Sequence, residues 1–503
     1  MIAPRRFVIL GGGTAGWIAA HLLKRAFADS AVTLVESPEI GTIGVGEGST
    51  PTLKRFFELI GADEGEWMPR CGATYKAGIR FDGWSPAAPW PGYRHPFTTQ
   101  VDVHTEDAFV LNCRNRRLGY DVPTLPDRFL LNGVLSARGL TPVAPPSFPF
   151  KIEYGYHFDA GLLGAYLRDL AVARGVAHRQ GRVAGAERAA NGDIAALAIE
   201  GDERIEGDFF VDCSGFASLL IEQTLGVPFV PYADNLFNDA AVVLATPMTG
   251  VPPVETVATA MSNGWRWSIP LEHRFGNGYV YSSAFQSPDA AEAELRRALS
   301  VGDDLPARHL KFRVGQAARA WERNCLAVGL SQGFIEPLEA TALHLVLGTV
   351  EQFIRHFGDG GGTDRHRDAF NAVVDERMAG VRDYIVAHYK LNTRTDTEYW
   401  RANAANMALS EPLLHLLDRW FRRGDMTEEL ARQGRRSHFG RLSWHCLLAG
   451  YGAFPPVSQP RRRDVDFHDD RGVEAFLHGC SLNFAPPAVG SIRAAQDGKL
   501  DNR

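Results

Sequence analysis

A cluster of glycines after a short apolar run constrains this chain more than any other feature. The run Phe7–Leu10 leads straight into the letters GGGTAG, and an Ala-rich apolar segment follows. The pattern predicts a buried parallel strand, a tight turn and a helix. Gly11, Gly13 and Gly16 fit the spacing G-x-G-x-x-G. The first glycine permits the turn, the second lets the backbone approach a pyrophosphate, and the third lets the helix pack on the strand.

A second apolar run strengthens this interpretation. Val32–Val35 ends at Glu36, twenty residues past Gly16, where a carboxylate can accept a hydrogen bond from a ribose hydroxyl. The helix start at Thr14 and Ala15 offers free amides and a positive dipole end to phosphates. We therefore expect an α/β fold that binds a dinucleotide, although the motif does not say which one.

Bulk composition excludes several classes of function. The 503 residues carry a net charge of −6, so the chain has no nucleic-acid footprint and no affinity for an anionic membrane is expected. No apolar run is long enough to span a bilayer. The six cysteines lie far apart, which gives no metal spacing and predicts reduced, mostly buried thiols in a cytoplasmic protein. The histidines are scattered and no hydrolase motif is present, so neither a metal site nor a hydrolase is expected.

Hydrophobic periodicity predicts the coarse order of elements. One alternating strand is expected over Tyr75–Phe81, and a long helix is expected to begin at Glu336 and end near Phe357. The last sixty residues look irregular because they are rich in Pro, Gly and charge. The other expected elements are helices over 52–59, 158–174, 365–389, 397–407 and 412–421, a hairpin at 191–193, and several strands between 242 and 285.

Three further features allow a structural and a functional interpretation. Lys76 lies among apolar residues of a predicted strand, where a lysine usually extends to the surface. Trp265 and Trp267 share one face of a strand and are ordinary core candidates. Glu336 and Glu339 flank a predicted helix start, where carboxylates stabilise the dipole. Each feature taken alone favours the structural role.

Taken together, these features resemble the flavin-dependent halogenases of the tryptophan-halogenase type. The W-x-W-x-I-P element separates this family from flavin monooxygenases that share the glycine motif. The resemblance extends from the N-terminus to about Trp400. The matching motifs are GGGTAGW (11–17), GVGEGSTPTL (44–53), YKAGIRF (75–81), GWRWSIPL (264–271), GYVYS (278–282), NCLAVGLSQGFIEPLEATAL (324–343) and HYKLNTRTDTEYW (388–400).

The resemblance implies an α/β fold in two parts. Residues 1–350 would form an FAD-binding, flavin monooxygenase-like module with mixed sheets, and residues 351–503 a mainly helical module that completes the substrate site. A separate flavin reductase would supply FADH2, and the resemblance leaves a homodimer open. The implied FAD contacts are Gly11, Gly13, Thr14, Ala15, Gly16, Glu36, Val45, Gly46, Glu47, Val183, Leu330 and Leu343.

The resemblance also implies the chemistry. Reduced FAD and O₂ would oxidise chloride or bromide, held by the amides of Thr341 and Ala342, to hypohalous acid. The acid would pass through a tunnel to Lys76, which either hydrogen-bonds it or forms a haloamine. Glu339 would stabilise the cationic arenium intermediate and help to remove its proton.

Two aromatic pairs complete the implied site. Trp265 and Trp267 would separate flavin from substrate, which prevents direct oxygen transfer. His95 and Phe97 match the aromatic clamp that holds the substrate together with Glu339.

The sequence departs from the family in three places. The serine that usually follows the glutamate is Ala340, and the glycine after the threonine is Ala342. From Ser443 onward, no segment matches the one that grips the amino acid in tryptophan halogenases. These departures favour indole, a substituted indole or another electron-rich aromatic over free tryptophan. Two alternatives are a flavin-dependent aromatic monooxygenase and a non-catalytic flavin-binding protein.

Overall fold

A computed structural model describes residues 4–39, 46–434, 438–456 and 470–487. Its α-helices are α1 Thr14–Ala26, α2 Thr52–Ile60, α3 Glu64–Arg70, α4 Glu106–Arg117, α5 Leu131–Ala137, α6 Ala160–Ala173, α7 Pro288–Leu299, α8 Ala342–Asp359, α9 Arg367–Lys390, α10 Glu398–Ala405, α11 Glu411–Phe421, α12 Met426–Gln433, α13 Arg441–Gly450 and α14 Asp470–Ser481. Its strands are β1 Arg6–Leu10, β2 Ala31–Glu36, β3 Glu47–Gly48, β4 Thr74–Lys76, β5 Gly78–Asp82, β6 Gly92–Pro96, β7 Gly155–Phe158, β8 Ala177–Gln180, β9 Val183–Arg188, β10 Ile194–Ile199, β11 Glu203–Glu206, β12 Phe209–Asp212, β13 Phe229–Pro231, β14 Ala240–Pro247, β15 Glu255–Met261, β16 Gly264–Pro270, β17 Arg274–Tyr281, β18 Arg308–Lys311, β19 Gly315–Ala317, β20 Trp321–Glu322, β21 Cys325–Ala327 and β22 Gly333–Phe334.

The predicted strand–turn–helix at the N-terminus is confirmed and lies in the middle of a six-stranded sheet. The strand order is β20-β21-β12-β1-β2-β8, and β1 pairs in parallel with both β2 and β12. Residues 7–10 are all buried, as a central parallel strand requires. Helix α1 packs on α6 and α8, which cover the sheet. The carboxyl ends of β1, β2 and β12 therefore meet at the glycine turn.

A second, seven-stranded sheet has the order β18-β14-β17-β16-β15-β5-β6. It contains the strands expected between 242 and 285, with β16 paired antiparallel to β15 and β17. A three-stranded sheet, β3-β7-β4, lies beside it. The hairpin expected at 191–193 joins β9 and β10 and is also confirmed.

The single strand predicted for Tyr75–Phe81 is wrong. The segment divides into β4, which belongs to the three-stranded sheet, and β5, which belongs to the seven-stranded sheet. The break falls at Ala77, whose amide donates to the carbonyl of Val254 at 2.7 Å. Gly78 then lies so close to β6 that a Cβ would sit 2.5 Å from the carbonyl oxygen of His95. Lys76 consequently ends a strand instead of lying in the middle of one.

The long helix predicted to begin at Glu336 begins six residues later. Pro337–Glu339 forms one 3₁₀ turn, and Ala340 then adopts a left-handed conformation with φ of 55°. Helix α8 starts only at Ala342. Glu336 and Glu339 therefore lie outside the first turn of α8, and the helix-dipole role considered for them is wrong.

The C-terminal part is mainly helical, as predicted, through α9, α10 and α11. The expectation of an irregular end is wrong in part, because α14 and most of α13 lie within the last sixty residues, of which 457–469 and 488–503 lie outside the described residues. The apolar side chains of α13 are buried in the same core cluster as β16 and α9. The boundary predicted at residue 350 falls inside α8, and the division into two modules stays a prediction.

All six cysteines are free, and all but Cys213 are buried, as predicted. Within the described ranges, no helix is long and apolar enough to cross a membrane. The same residues contain no group of three or more His, Cys, Asp or Glu side chains arranged to hold a metal ion.

Candidate active site

The glycine turn after β1 has the close backbone contacts that the sequence motif predicts at Gly11 and Gly16. Gly11 has φ of 112°, and a Cβ there would sit 2.1 Å from the carbonyl oxygen of Cys213. A Cβ on Gly16 would sit 1.9 Å from the carbonyl oxygen of Gly11. Larger residues are therefore excluded at both positions, by the turn at one and by helix packing at the other.

Gly13 is the exception, and its openness fits a phosphate. No heavy atom of the described chain lies within 4 Å of a Cβ built there. Gly13 is also the N-cap residue of α1, and no side chain caps this helix. The first-turn amides, which begin at Thr14 and Ala15, can thus donate to a pyrophosphate. The residues present fit the dinucleotide FAD.

Glu36 ends β2 beside this turn, as predicted. A Cβ on Gly12 would overlap the Glu36 carboxylate, with 1.6 Å to Oε2, so the carboxylate lies against the turn. Its Oε1 lies 2.7 Å from Nε2 of His178 on β8. His178 is a neighbour that sequence reasoning missed.

The remaining predicted FAD residues lie on several elements. Gly46 has φ of 131° and precedes β3, where burial and then Asp159 raise the pKa of Glu47 to about 7. Val45 lies outside the described residues. Gly329, next to Leu330, comes within 2.9 Å of the Ala15 side chain if a Cβ is added.

Two other predicted FAD residues are placed less directly. Leu343 is buried in the first turn of α8. Val183 begins β9 and packs against the core cluster that contains Val8 and Val35. The role of each in binding FAD stays a prediction.

Lys76 is fully buried, at 0% exposed, so the surface lysine considered from sequence alone is wrong. Its Nζ has no hydrogen-bond partner in the described chain and lies 5.6 Å from the centre of the Phe97 ring. Burial lowers the pKa of Lys76 to about 7, against a smaller opposing effect of Glu339. Near neutral pH, a substantial fraction of this amine is therefore uncharged and can act as a nucleophile or a hydrogen-bond partner.

Glu339 is equally buried but fully partnered. Its Oε1 lies 2.8 Å from Nε2 of His388 and 3.2 Å from Nδ1 of His95. Burial alone would raise the pKa of this carboxyl. The charge of His95 and the hydrogen bonds from both histidines outweigh that effect and lower the pKa to about 2. Glu339 is therefore a carboxylate at any physiological pH.

Sequence reasoning missed the group behind Glu339. His388, in the last turn of α9, also has its Nδ1 2.8 Å from the hydroxyl of Tyr451. Because the Glu339 carboxylate can only accept, Nε2 of His388 carries the hydrogen of that bond. Burial lowers the pKa of His388, so the ring is neutral and its Nδ1 accepts from the Tyr451 hydroxyl. His388 opens the motif HYKLNTRTDTEYW, which was the available signal, whereas nothing in the sequence marked Tyr451.

The two tryptophans lie side by side on β16, with ring centres 6.1 Å apart. Nε1 of Trp265 donates to Glu336 Oε2 at 3.0 Å. Glu336 also accepts from Tyr389 and Asn238, so this carboxylate holds the indole in place. Both rings are buried, as core residues would be.

The position of Trp267 depends on a neighbouring glycine. The ring of Trp267 occupies the space where a Cβ of Gly278 on β17 would be, 2.0 Å from Cζ2. This contact explains the glycine of the GYVYS motif.

Thr341 and Ala342 lie at the start of α8. Thr341 is the N-cap residue, and no side chain caps the helix. Ala342 is exposed, whereas Thr341 is buried. Amides at an uncapped helix start can bind a small anion, and an alanine offers the same amide as the glycine usual in the family.

Comparisons with known proteins show the family to which this chain is related. The tryptophan halogenase family model matches residues 6–466. Tryptophan 6-halogenase SttH from Streptomyces toxytricini is 38% identical over 443 residues, which cover 83% of this chain and 84% of that protein.

Solved structures extend the agreement to the fold. A flavin-dependent halogenase from Xanthomonas campestris aligns with a TM-score of 0.82 at 34% identity, covering 98% of both chains. The flavin-dependent halogenase BrvH from a Brevundimonas species aligns with a TM-score of 0.83 at 33% identity, covering 98% of this chain and 99% of the other. The chain therefore belongs to the tryptophan halogenase family and is a flavin-dependent halogenase that uses FADH2 and halide.

Proposed function

We propose that this enzyme chlorinates or brominates a neutral, electron-rich aromatic, indole or a substituted indole, with hypohalous acid delivered to Lys76. The observation that carries the proposal is the contrast between two buried groups. Lys76 is an unpartnered amine, and Glu339 is a fixed carboxylate. The first can handle an electrophilic halogen, and the second can stabilise the cation that an aromatic ring becomes when it is attacked.

When bound, reduced FAD from a separate flavin reductase would supply the electrons that activate O₂, and the activated oxygen would oxidise halide to hypohalous acid. The glycine turn and α1 would hold its pyrophosphate, and Glu36 its ribose. The segment from Gly46, the turn at Leu330, Leu343 and Val183 would contact the remainder. The amides of Thr341 and Ala342 would hold the halide at the start of α8.

Lys76 has two available roles. As an amine it can hold hypohalous acid by a hydrogen bond. As a nucleophile it can form a haloamine: the N–halogen bond forms as the O–halogen bond breaks, and hydroxide leaves with the amine proton as water. Either protonation state can donate the hydrogen bond, whereas the haloamine needs an uncharged amine, which the lowered pKa of about 7 supports.

Glu339 would act after the halogen has bonded to the ring. Its negative charge stabilises the arenium cation, and its oxygen accepts the ring proton. A carboxylate with a pKa of about 2 is a weak base. It suffices because an arenium ion is a very strong acid, and it stays ionised in a buried site.

His95 and Phe97 would clamp the aromatic ring between Lys76 and Glu339. His95 contacts Glu339, and Phe97 lies beside Lys76, so both adjoin the groups that need substrate between them. Trp265 and Trp267 would separate this space from the flavin.

The preference for a neutral aromatic rests on the C-terminal part. SttH is a tryptophan 6-halogenase by name. In this chain, helix α13 follows directly after Gly440 and buries Trp444, His445 and Leu447 in the core. Those side chains are therefore committed to packing and do not offer a grip for an ammonium and a carboxylate.

The test is a substrate competition. The enzyme is supplied with FAD, a flavin reductase, NADH and bromide, and offered equal amounts of indole and L-tryptophan. Mass spectrometry should find bromoindole as the main product, with none when bromide is omitted. Oxygenated product without bromine would point to a monooxygenase reaction. Bromotryptophan as the main product would overturn the proposed substrate class.

A further inference from the structure

A buried histidine behind Lys76 is not explained by the proposed function. His157 lies on β7, the strand that pairs with both β3 and β4, and is 0% exposed. Its Nδ1 is 3.1 Å from Oγ1 of Thr74, and its Nε2 is 2.9 Å from Oγ1 of Thr256. The ring therefore links two hydroxyl groups in the buried interior.

The direction of these hydrogen bonds follows from one fixed end. The hydroxyl of Thr74 donates to the carbonyl oxygen of Pro270 at 2.6 Å, which can only accept. Its single hydrogen is thus used, so Thr74 must accept from His157 and Nδ1 must carry a hydrogen. Burial, and then the charge of Lys76, lowers the pKa of His157 well below its usual value, so the ring is neutral and Nε2 is an acceptor. Thr256 must therefore donate to His157.

Because Thr256 donates its hydroxyl hydrogen to His157, the oxygen can only accept from any other partner. Lys76 is the candidate donor, since its Nζ lies near the same glycine as Thr256 Oγ1. A Cβ built on Gly48 would lie 2.9 Å from Nζ of Lys76 and 3.3 Å from Oγ1 of Thr256. The two atoms thus border the same small gap, which exists because residue 48 is glycine. Nζ has no hydrogen-bond partner in the described chain, so it is not bonded to Thr256 in this structure, and its hydrogens are free to be donated to Thr256 if the amine moves across the gap.

We propose that Thr256, oriented by His157 and Thr74, is a positioning residue that accepts an N–H from Lys76 when the amine moves across this gap, and that this bond then points the rest of the amine at the substrate space. The inference rests on the proposed role of Lys76. A neutral amine has two hydrogens and one lone pair. When Thr256 takes one hydrogen, the lone pair and the other hydrogen are left for hypohalous acid.

The ionisable groups around Lys76 are few. Glu339 raises its pKa from the 3₁₀ turn side, and neutral His157 faces it from β7. On β3, burial and then the charge of Asp159 raise the pKa of Glu47. A change at Thr256 leaves all of these charges in place, so a shift in the titration of Lys76 would report on the missing hydroxyl itself.

The first test replaces the hydroxyl with a methyl group of the same shape. Thr256→Val should lower the plateau rate of bromination about fivefold to tenfold, the value of one lost hydrogen bond. It should also move the acidic limb of the pH–rate profile about one unit lower, because the ammonium loses an acceptor. Thr256→Ser keeps the hydroxyl and should restore both. An unchanged limb and plateau in Thr256→Val would overturn the proposal.

The second test needs no turnover. The rate at which cyanate carbamoylates Lys76, followed by peptide mass spectrometry across pH, reports the titration of the amine. Thr256→Val should shift this curve about one unit lower than wild type, and an unshifted curve rejects the positioning role. Failure of the proposed function is recognised separately, by a wild-type enzyme without halogenated product or by a Lys76→Ala variant that keeps it.

Thr74→Val and Gly48→Ala test the arrangement without changing Thr256. The first should free the His157 ring to reverse its hydrogen bonds and reproduce much of the rate loss, although Thr74 does not face Lys76. The second should place a methyl group in the gap and lower the rate similarly. Wild-type rates in both variants would contradict the arrangement even if Thr256→Val failed to fold.

Discussion

Lys76 and Glu339 are two buried ionisable groups of one site, and they respond to burial in different ways. Both are almost fully removed from water, at 0% and 5% exposed. The lysine has no hydrogen-bond partner, and its pKa is lowered to about 7. The carboxylate has two histidine partners, and its pKa is lowered to about 2.

Hydrogen-bonding and charged partners, and not the degree of burial, decide which of these two groups keeps its charge. Desolvation disfavours the charged form of both residues. At Glu339 the charge of His95 and the hydrogen bonds from His95 and His388 more than offset it. At Lys76 only the distant charge of Glu339 opposes it. The same environment thus supplies an amine that can be neutral and an anion that stays ionised.

Removing the amine should have the largest effect. Lys76→Ala should lower halogenation by about a thousandfold or more, because the group proposed to hold the electrophile is lost. FAD binding, measured by fluorescence, should persist, since Lys76 lies on β4 and not on the six-stranded sheet that carries the glycine turn. Lys151→Ala, at a lysine whose side chain is 66% exposed, is the matched control and should behave as wild type. Normal product from Lys76→Ala would refute its role.

Removing the charge of Glu339 should have the next largest effect. Glu339→Gln should lower kcat about a hundredfold, because the arenium cation loses its counter-charge and its base. Glu66→Gln, at a glutamate whose side chain is 60% exposed, is the control. A kcat within twofold of wild type in Glu339→Gln would show that the carboxylate is structural.

Glu339 should also contribute to acid stability. Its pKa of about 2 in the folded state lies below the value of about 4.3 expected when unfolded, so the unfolded chain binds the proton more readily. The resulting stability is fully present above about pH 4.3 and is lost as the pH falls toward 2. Thermal unfolding of the wild type from pH 6 to 3 should show a loss that is smaller in Glu339→Gln.

Lys76 should affect stability in the opposite sense. Its pKa of about 7 in the fold lies below the unfolded value of about 10.4, so the unfolded chain holds more protons between these values. The native state is penalised most below pH 7, and the penalty fades as the pH rises to about 10. Lys76→Met should therefore raise the Tm at pH 6.5 and raise it less at pH 9. An equal change at both pH values would show that the effect is one of packing.

The smallest effect is expected behind Glu339. Tyr451→Phe removes the hydroxyl that donates to His388, at a cost of about 1 kcal/mol. The variant should have a kcat severalfold lower than wild type, and its Tm should be slightly lower. A fall as large as that of Glu339→Gln would mean that Tyr451 acts on the substrate directly.

The glycine turn was predictable from sequence because its requirements are local. Gly11 and Gly16 are needed by the backbone of their own strand–turn–helix, and both spacing and neighbours were correctly predicted. Four strands of the seven-stranded sheet, β14 to β17, were also predictable from sequence. The order of the sheet was not, because strand neighbours depend on contacts between distant segments.

The environment of Lys76 could not be predicted from its own strand. An isolated lysine in an apolar run usually reaches water, and what prevents this here is the passage of the chain from one sheet to another at Ala77. The two histidine partners of Glu339 come from β6 and α9, about 240 residues before it and 50 after it. Their convergence is a property of the fold.

The left-handed conformation of Ala340 separates the negative carboxylate of Glu339 from the positive N-terminal end of α8. In an unbroken helix, the carboxylate of Glu339 would lie one turn before Leu343 on the same face and would occupy the positive end of the dipole. The break at φ of 55° turns Glu339 toward the histidines and leaves the amides of α8 without a side-chain cap. The segment from Glu339 to Leu343 thereby contains a buried carboxylate and, next to it, an uncapped helix start that can bind a second anion. A single backbone dihedral keeps the carboxylate from neutralising that helix start.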